Sequence, residues 1–222
     1  MAVDIAPMID HTLLKADATD EMIEKLCNEA IENRFAAVCV NPYYVKRASK
    51  LLKDTDIMVA TVVGFPLGAN TKEVKAFEAL KAVEEGADEI DMVMNISALK
   101  NREYTKVEED IRAVVEAVKN RARVKVIIET YLLSDEEKVK ACKISRNAGA
   151  DFVKTSTGFG SSGATVEDIE LMYRIVGDSL KIKAAGGIRN YDTAKAMVDA
   201  GATRIGASAS VEIVSNGGRQ LD

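Results

Sequence analysis

Gly149-Ala150-Asp151-Phe152-Val153-Lys154 has two partners in the chain, Gly86-Ala87-Asp88-Glu89-Ile90-Asp91 and Gly201-Ala202-Thr203-Arg204-Ile205-Gly206. Each reads as a helix end, a turn and a strand, with the glycine closing the helix in a left-handed cap. A unit repeated in this way is the βα step of a parallel sheet. It sets Asp91, Lys154 and Gly206 at equivalent positions, each five residues beyond its glycine. These are the C-terminal ends of strands four, six and eight, the face on which closed barrels of this kind place their chemistry.

Outward from these segments, short β-branched runs alternate with longer amphipathic ones. Strands are predicted at 8–14, 36–40, 57–63, 89–94, 124–129, 152–155, 180–184 and 204–207. Between them, Val107, Ile111, Val114, Val115 and Val118 form one apolar helical stripe. Asn70 before Glu73, Ser134 before Glu137 and Thr165 before Asp168 have the spacing of capping boxes. No proline-rich or glycine/serine-rich linker divides the chain. The expected fold is α/β, a (β/α)8 TIM barrel forming a single domain over residues 1–222; a doubly wound open sheet is the alternative.

Composition narrows the function classes. Lys and Arg number 30 against 35 Asp and Glu, a net charge of -5 with both signs spread along the chain. That balance argues against nucleic acid as a partner. The three cysteines, Cys27, Cys39 and Cys142, form no Cys-x-x-Cys pair and suit a reducing compartment. No run approaches the ~20 apolar residues of a membrane span, so a cytoplasmic protein without a membrane partner is expected. With one histidine, His11, and no carboxylates at ligand spacing, neither a metal nor another cofactor is expected.

The chemistry is then left to amines and carboxylates. Strand six ends in Lys154-Thr155-Ser156-Thr157-Gly158, and strand alternation turns Lys154 away from the face of Val153. An inward lysine in an apolar barrel is costly, but desolvation favours the neutral amine, a nucleophile toward carbonyls. Pairing with a carboxylate or reaching solvent is the competing reading. Strand seven ends in Lys183-Ala184-Ala185-Gly186-Gly187, which brings Lys183 beside Lys154, where a second cation lowers the amine's pKa further and could join a proton relay. A structural bridge from Lys183 to Asp91 or Glu89 is the competing role. Asp91 supplies a carboxylate able to hold the lysines and a water and to move protons.

Gly186-Gly187, with Arg189 nearby, and Gly206-Ala207-Ser208-Ala209-Ser210 lie after strands seven and eight and lead into a short helix. Barrels often bind phosphate there through backbone amides. Asp10 could orient a substrate hydroxyl or tie down a loop. His11 reads as structural, and Cys39 as core.

These segments, with Asp10-His11-Thr12-Leu13-Leu14, Val63-Gly64-Phe65-Pro66 and Val126-Ile127-Ile128-Glu129-Thr130, resemble the deoxyribose-phosphate aldolases over essentially the whole chain. The resemblance implies reversible cleavage of 2-deoxy-D-ribose 5-phosphate to acetaldehyde and D-glyceraldehyde 3-phosphate in deoxynucleoside catabolism, without a cofactor. It assigns the Schiff base to Lys154, its pKa perturbation to Lys183 and proton relay through water to Asp91. It also places Thr157, Gly158, Gly186, Gly187, Arg189, Gly206, Ser208 and Ala209 around the substrate and its phosphate, and implies a homo-oligomer, dimer or tetramer. Some members of the family carry a C-terminal tyrosine that assists proton transfer, whereas here the sequence reads Gly217-Gly218-Arg219-Gln220-Leu221-Asp222 and its last tyrosine is Tyr191. A phosphosugar isomerase and a non-catalytic phosphosugar-binding barrel are the remaining readings.

Overall fold

In the computed structural model, which describes residues 3–217, the repeated unit behaves as its sequence requires. Gly86, Gly149 and Gly201 have φ of 106°, 87° and 117°, left-handed values that end each helix at little steric cost. Two residues on, the Asp88 and Asp151 carboxylates each accept a hydrogen bond, at 2.8 Å, from the backbone N–H of Val59 and Val124 in the preceding strand. The aspartate shared by two of the three repeats thus ties each of those two strands to its neighbour.

The chain runs β1 (Ile9–Leu13), α1 (Asp20–Asn33), β2 (Ala37–Val40), α2 (Val45–Leu51), β3 (Met58–Val63), α3 (Lys72–Glu84) and β4 (Glu89–Val93). It continues through α4 (Ile96–Lys100), α5 (Tyr104–Ala117), β5 (Arg123–Ile127), α6 (Asp135–Asn147) and β6 (Phe152–Lys154). The last elements are α7 (Val166–Val176), β7 (Lys181–Ala185), α8 (Tyr191–Asp199), β8 (Arg204–Ala207) and α9 (Ser210–Gly217). Every strand pairs in parallel with the next and β8 closes on β1, so the closed barrel stands and the open sheet is excluded. All eight predicted strands form, with ends displaced by a residue or two. The largest difference is in β5, expected to reach Glu129, whose φ of 54° takes it out of extended backbone.

The helix signals hold with one correction. Ser134 forms its reciprocal capping box with Glu137, and Thr165 accepts from the Asp168 N–H. Asn70 caps nothing; α3 starts one residue later on Thr71, without a side-chain cap bond. Val107, Ile111, Val114 and Val118 are buried against the barrel, while Val115 is partly buried.

Inside the barrel the two sides differ. The β1–β3 side is lined by small apolar groups, Leu14, Ala37, Cys39, Ala60 and Val62. The rest of the interior carries charge, because Asp10 on β1, Glu89 and Asp91 on β4, Lys125 on β5, Lys154 on β6, Lys183 on β7 and Arg204 on β8 are all buried, Asp10 being the one charge on the β1–β3 side among the described residues. The outward positions between them, such as Ile90, Val126, Val153, Ile182 and Ile205, pack in the apolar shell beneath the helices.

Candidate active site

The inward charges form one lattice. Asp91 Oδ2 accepts from Lys154 Nζ and from Lys183 Nζ, both at 2.7 Å, and its Oδ1 accepts from Lys125 Nζ at 2.8 Å. Lys183 also bonds Asp10, which Arg204 meets from the other side at 2.6 Å. Glu89 pairs with Arg204 at 2.8 Å and with Lys125 at 2.6 Å. Asp10 therefore belongs to the ion network through Lys183 and Arg204. Lys183 pairs with Asp91 and Asp10, while Glu89 serves Lys125 and Arg204.

Charge decides the protonation of this lattice. Burial works against every ion here, yet Lys183, Lys125 and Arg204 outweigh it at Asp10, and Lys125, Lys154 and Lys183 outweigh it at Asp91, holding both carboxyls well below the usual range. Burial also disfavours the Lys183 ammonium, but Asp10 and Asp91 raise its pKa, so it keeps its proton. At Lys154 burial prevails: with Lys183 alongside it outweighs Asp91, and the amine's pKa falls. Three buried carboxylate side chains, Asp10, Glu89 and Asp91, thus face four buried basic ones, Lys125, Lys154, Lys183 and Arg204, of which Lys154 is the one whose pKa is lowered. Arg123 reaches Glu89 at 3.4 Å from its half-exposed position.

Above the lattice opens a cavity of about 260 Å³ at the C-terminal end of the strands. Of the lattice amines, Lys154 alone lies on its wall, together with Thr157, Gly158, Gly186, Gly187, Arg189, Gly206 and Ser208. Asp10, Asp91, Lys183 and Ala209 are not part of that wall. Gly186 and Gly187 have φ of 87° and 78°; a Cβ on Gly186 would meet Gly163 Cα at 2.9 Å, whereas one on Gly187 would meet no atom within 4 Å, so the backbone at Gly187 is open to close approach by a ligand. Arg189 and Lys15 bring two exposed cations to this end.

Sequence reasoning did not single out Lys125 or Arg204, nor Lys15 and Phe159 on the cavity wall. The first two carried the same signal as Lys154, a charge at an inward strand position. His11 is held by Ser210 Oγ at 3.0 Å and Glu29 Oε2 at 2.8 Å, joining the start of α9 to α1. Burial pushes the Cys39 thiol up, away from a reactive thiolate. Tyr191 bonds the backbone of Val3, and residues 218–222 lie outside the described residues. Among the described residues no group of three or more His, Cys, Asp or Glu could hold a metal ion, and no helix is long and apolar enough to cross a membrane.

The chain is 61% identical over 220 residues to the deoxyribose-phosphate aldolase of Caldanaerobacter subterraneus subsp. tengcongensis, covering 98% of this chain and 95% of the relative. It is 63% identical over 214 residues to that of Aciduliprofundum boonei, covering 96% of each. The tetrameric deoxyribose phosphate aldolase structure from Aeropyrum pernix superposes with a TM-score of 0.91 at 34% identity, covering 98% of this chain and 92% of that one. Residues 5–217, the span that builds the barrel and places the lysine lattice under its cavity, match the model of the DeoC/LacD family of aldolases, and the chain belongs to that family.

Proposed function

We propose that this chain reversibly cleaves 2-deoxy-D-ribose 5-phosphate to acetaldehyde and D-glyceraldehyde 3-phosphate through a Schiff base on Lys154, as one domain over residues 1–222. The observation that carries this reading is that the lattice amine whose pKa is lowered is also the one on the cavity wall. Neutral Lys154 Nζ attacks C1 of the open-chain aldehyde, and loss of water leaves a protonated imine. The C2–C3 electrons then move toward that imine as the C3 hydroxyl gives up its proton. D-glyceraldehyde 3-phosphate departs, and the enamine is protonated at C2 and hydrolysed to acetaldehyde, which returns the water lost earlier.

Lys183 acts in this scheme as a retained cation that disfavours Lys154-H⁺. Asp91 joins the two amines and relays protons with water. Gly186, Gly187, Gly206, Ser208, Ala209 and Arg189 receive the phosphate next to the start of α9, and Thr157 and Gly158 face the carbon chain. The remote phosphate then contributes orientation at C1.

Incubation with acetaldehyde and borohydride tests the scheme. A two-carbon adduct on Lys154, absent from Lys154→Ala, is expected by peptide mass spectrometry; no adduct, or one confined to Lys183, would return an isomerase or a binding barrel to the front. The same reading makes the chain a cytoplasmic enzyme of deoxynucleoside catabolism. It also makes it a homo-oligomer, supported by the exposed apolar side chains of Leu67, Val74 and Phe77 and measurable by light scattering.

A further inference from the structure

Four non-glycine residues adopt positive φ among the described residues: Arg34, Arg102, Asn120 and Glu129. The first three are exposed and follow helices; Glu129 is buried, 4% exposed, at the end of β5 with φ 54° and ψ 67°. Side chains seldom adopt this conformation without local compensation. Here the compensation crosses to the β6–α7 loop. The Glu129 carboxylate accepts from the Thr157 N–H at 3.2 Å and from the Thr157 hydroxyl at 2.5 Å. Thr157 Oγ1 in turn accepts from the Phe159 N–H at 3.1 Å.

A hydroxyl has one proton and two lone pairs. With its proton committed to Glu129 and one lone pair to Phe159, Thr157 can make a further bond only by accepting one. Thr157, Gly158 and Phe159 all lie on the cavity wall, so the outer carboxylate fixes both the position of this wall and the polarity of its hydroxyl. Glu129 itself is not on that wall and has no bond to the amine lattice.

We propose that Glu129 is a positioning residue: it holds the Thr157–Phe159 wall and orients the Thr157 hydroxyl as an acceptor for a hydroxyl of the three-carbon half of the substrate. The proposal rests on the aldolase reading above, and the wild-type enzyme controls for that reading. If the wild type cleaves the sugar phosphate, the variants judge Glu129 alone.

Glu129→Gly removes the carboxylate while suiting the backbone, so it retains the fold where Glu129→Ala fails to. In this variant KM for 2-deoxy-D-ribose 5-phosphate should rise about tenfold, the loss of one buried hydrogen bond from the substrate hydroxyl to Thr157, with kcat little changed. Borohydride trapping of acetaldehyde on Lys154 should continue at the wild-type rate. Glu129→Gln, which keeps an acceptor oxygen, should recover most of the KM. Thr157→Val should show the same rise, and Glu129→Gly with Thr157→Val no more than either alone. In the condensation direction the defect should appear with D-glyceraldehyde 3-phosphate and vanish with propanal, which has no hydroxyl to donate. A Glu129→Gly enzyme with unchanged KM and unchanged preference between these aldehydes overturns the proposal. So does one whose acetaldehyde trapping falls in parallel with its sugar-phosphate affinity, because Glu129 would then act on Lys154.

Discussion

Two regions of this molecule bury a lysine against a carboxylate, and only one of them has the means to use it. In the seam between α3 and α5, Lys75 is fully buried and donates to Asp110 at 2.6 Å and to the Val93 carbonyl at 2.9 Å. Burial lowers the Lys75 pKa and raises that of Asp110, pulling both toward their neutral forms. The Lys75 methylenes lie under Gly64, where a Cβ would come within 2.9 Å of Cε. This lysine anchors the turn after β3 to α5. Lys154 is also lowered chiefly by burial, but its carboxylate is shared with Lys125 and Lys183 and its amine lies on a cavity wall. Desolvation favours the neutral amine; access and a neighbouring cation make it useful.

The comparison breaks most visibly in activity. Lys154→Ala should fold and lose at least about a thousandfold in kcat/KM for sugar-phosphate cleavage, as removal of a covalent nucleophile does. Lys75→Met should leave acetaldehyde trapping on Lys154 intact. A Lys75 variant that folds but no longer traps would show that the seam takes part in the chemistry.

Stability should run the other way. Lys75→Met leaves Asp110 buried without its cation and should cost about 3 kcal/mol in denaturant unfolding. Pairing it with Asp110→Leu should recover most of that loss, since an apolar pair can replace a buried ion pair of similar volume. Failure of the double variant to recover would locate the cost in the Gly64 contact or in the Val93 carbonyl and Asn95 N–H left without their partners.

The pH dependence sharpens the contrast more finely. Trapping needs the neutral amine, so its rate should rise with pH and reach half its maximum below the ordinary lysine value of about 10.4. Lys183→Met should move that midpoint upward: the cation that opposes Lys154-H⁺ is gone, and Asp91 is freer to stabilise it. A midpoint unmoved by Lys183→Met would leave burial as the sole cause. The smallest effect is expected beside the seam, at the solvent-facing Lys72–Glu109 pair, 2.8 Å apart. Lys72→Ala should leave the melting temperature unchanged within error, because exposed pairs contribute little.

Local sequence carried much of this protein. The Gly-Ala-Asp or Gly-Ala-Thr repeat placed three strand ends on one face because a left-handed cap and a strand start are local events, set by a few adjacent residues. Two-residue alternation placed Lys154 inward for the same reason. The missed pieces were pairings between residues far apart in the chain. Nothing near Asp10 marks it as a partner of Lys183 and Arg204, which lie 173 and 194 residues away. Asn70 offered a cap by spacing, and the chain started α3 from Thr71 instead.

The sequence by itself determined the repeating βα unit, the inward lysines and the glycines of the last two loops, since each follows from local conformational preference. Tertiary structure alone decided closure of β8 on β1, the sharing of Asp91 among three lysines and the opening of the cavity onto Lys154. Coulomb interactions and desolvation depend on distance in space, and only the closed barrel fixes those distances.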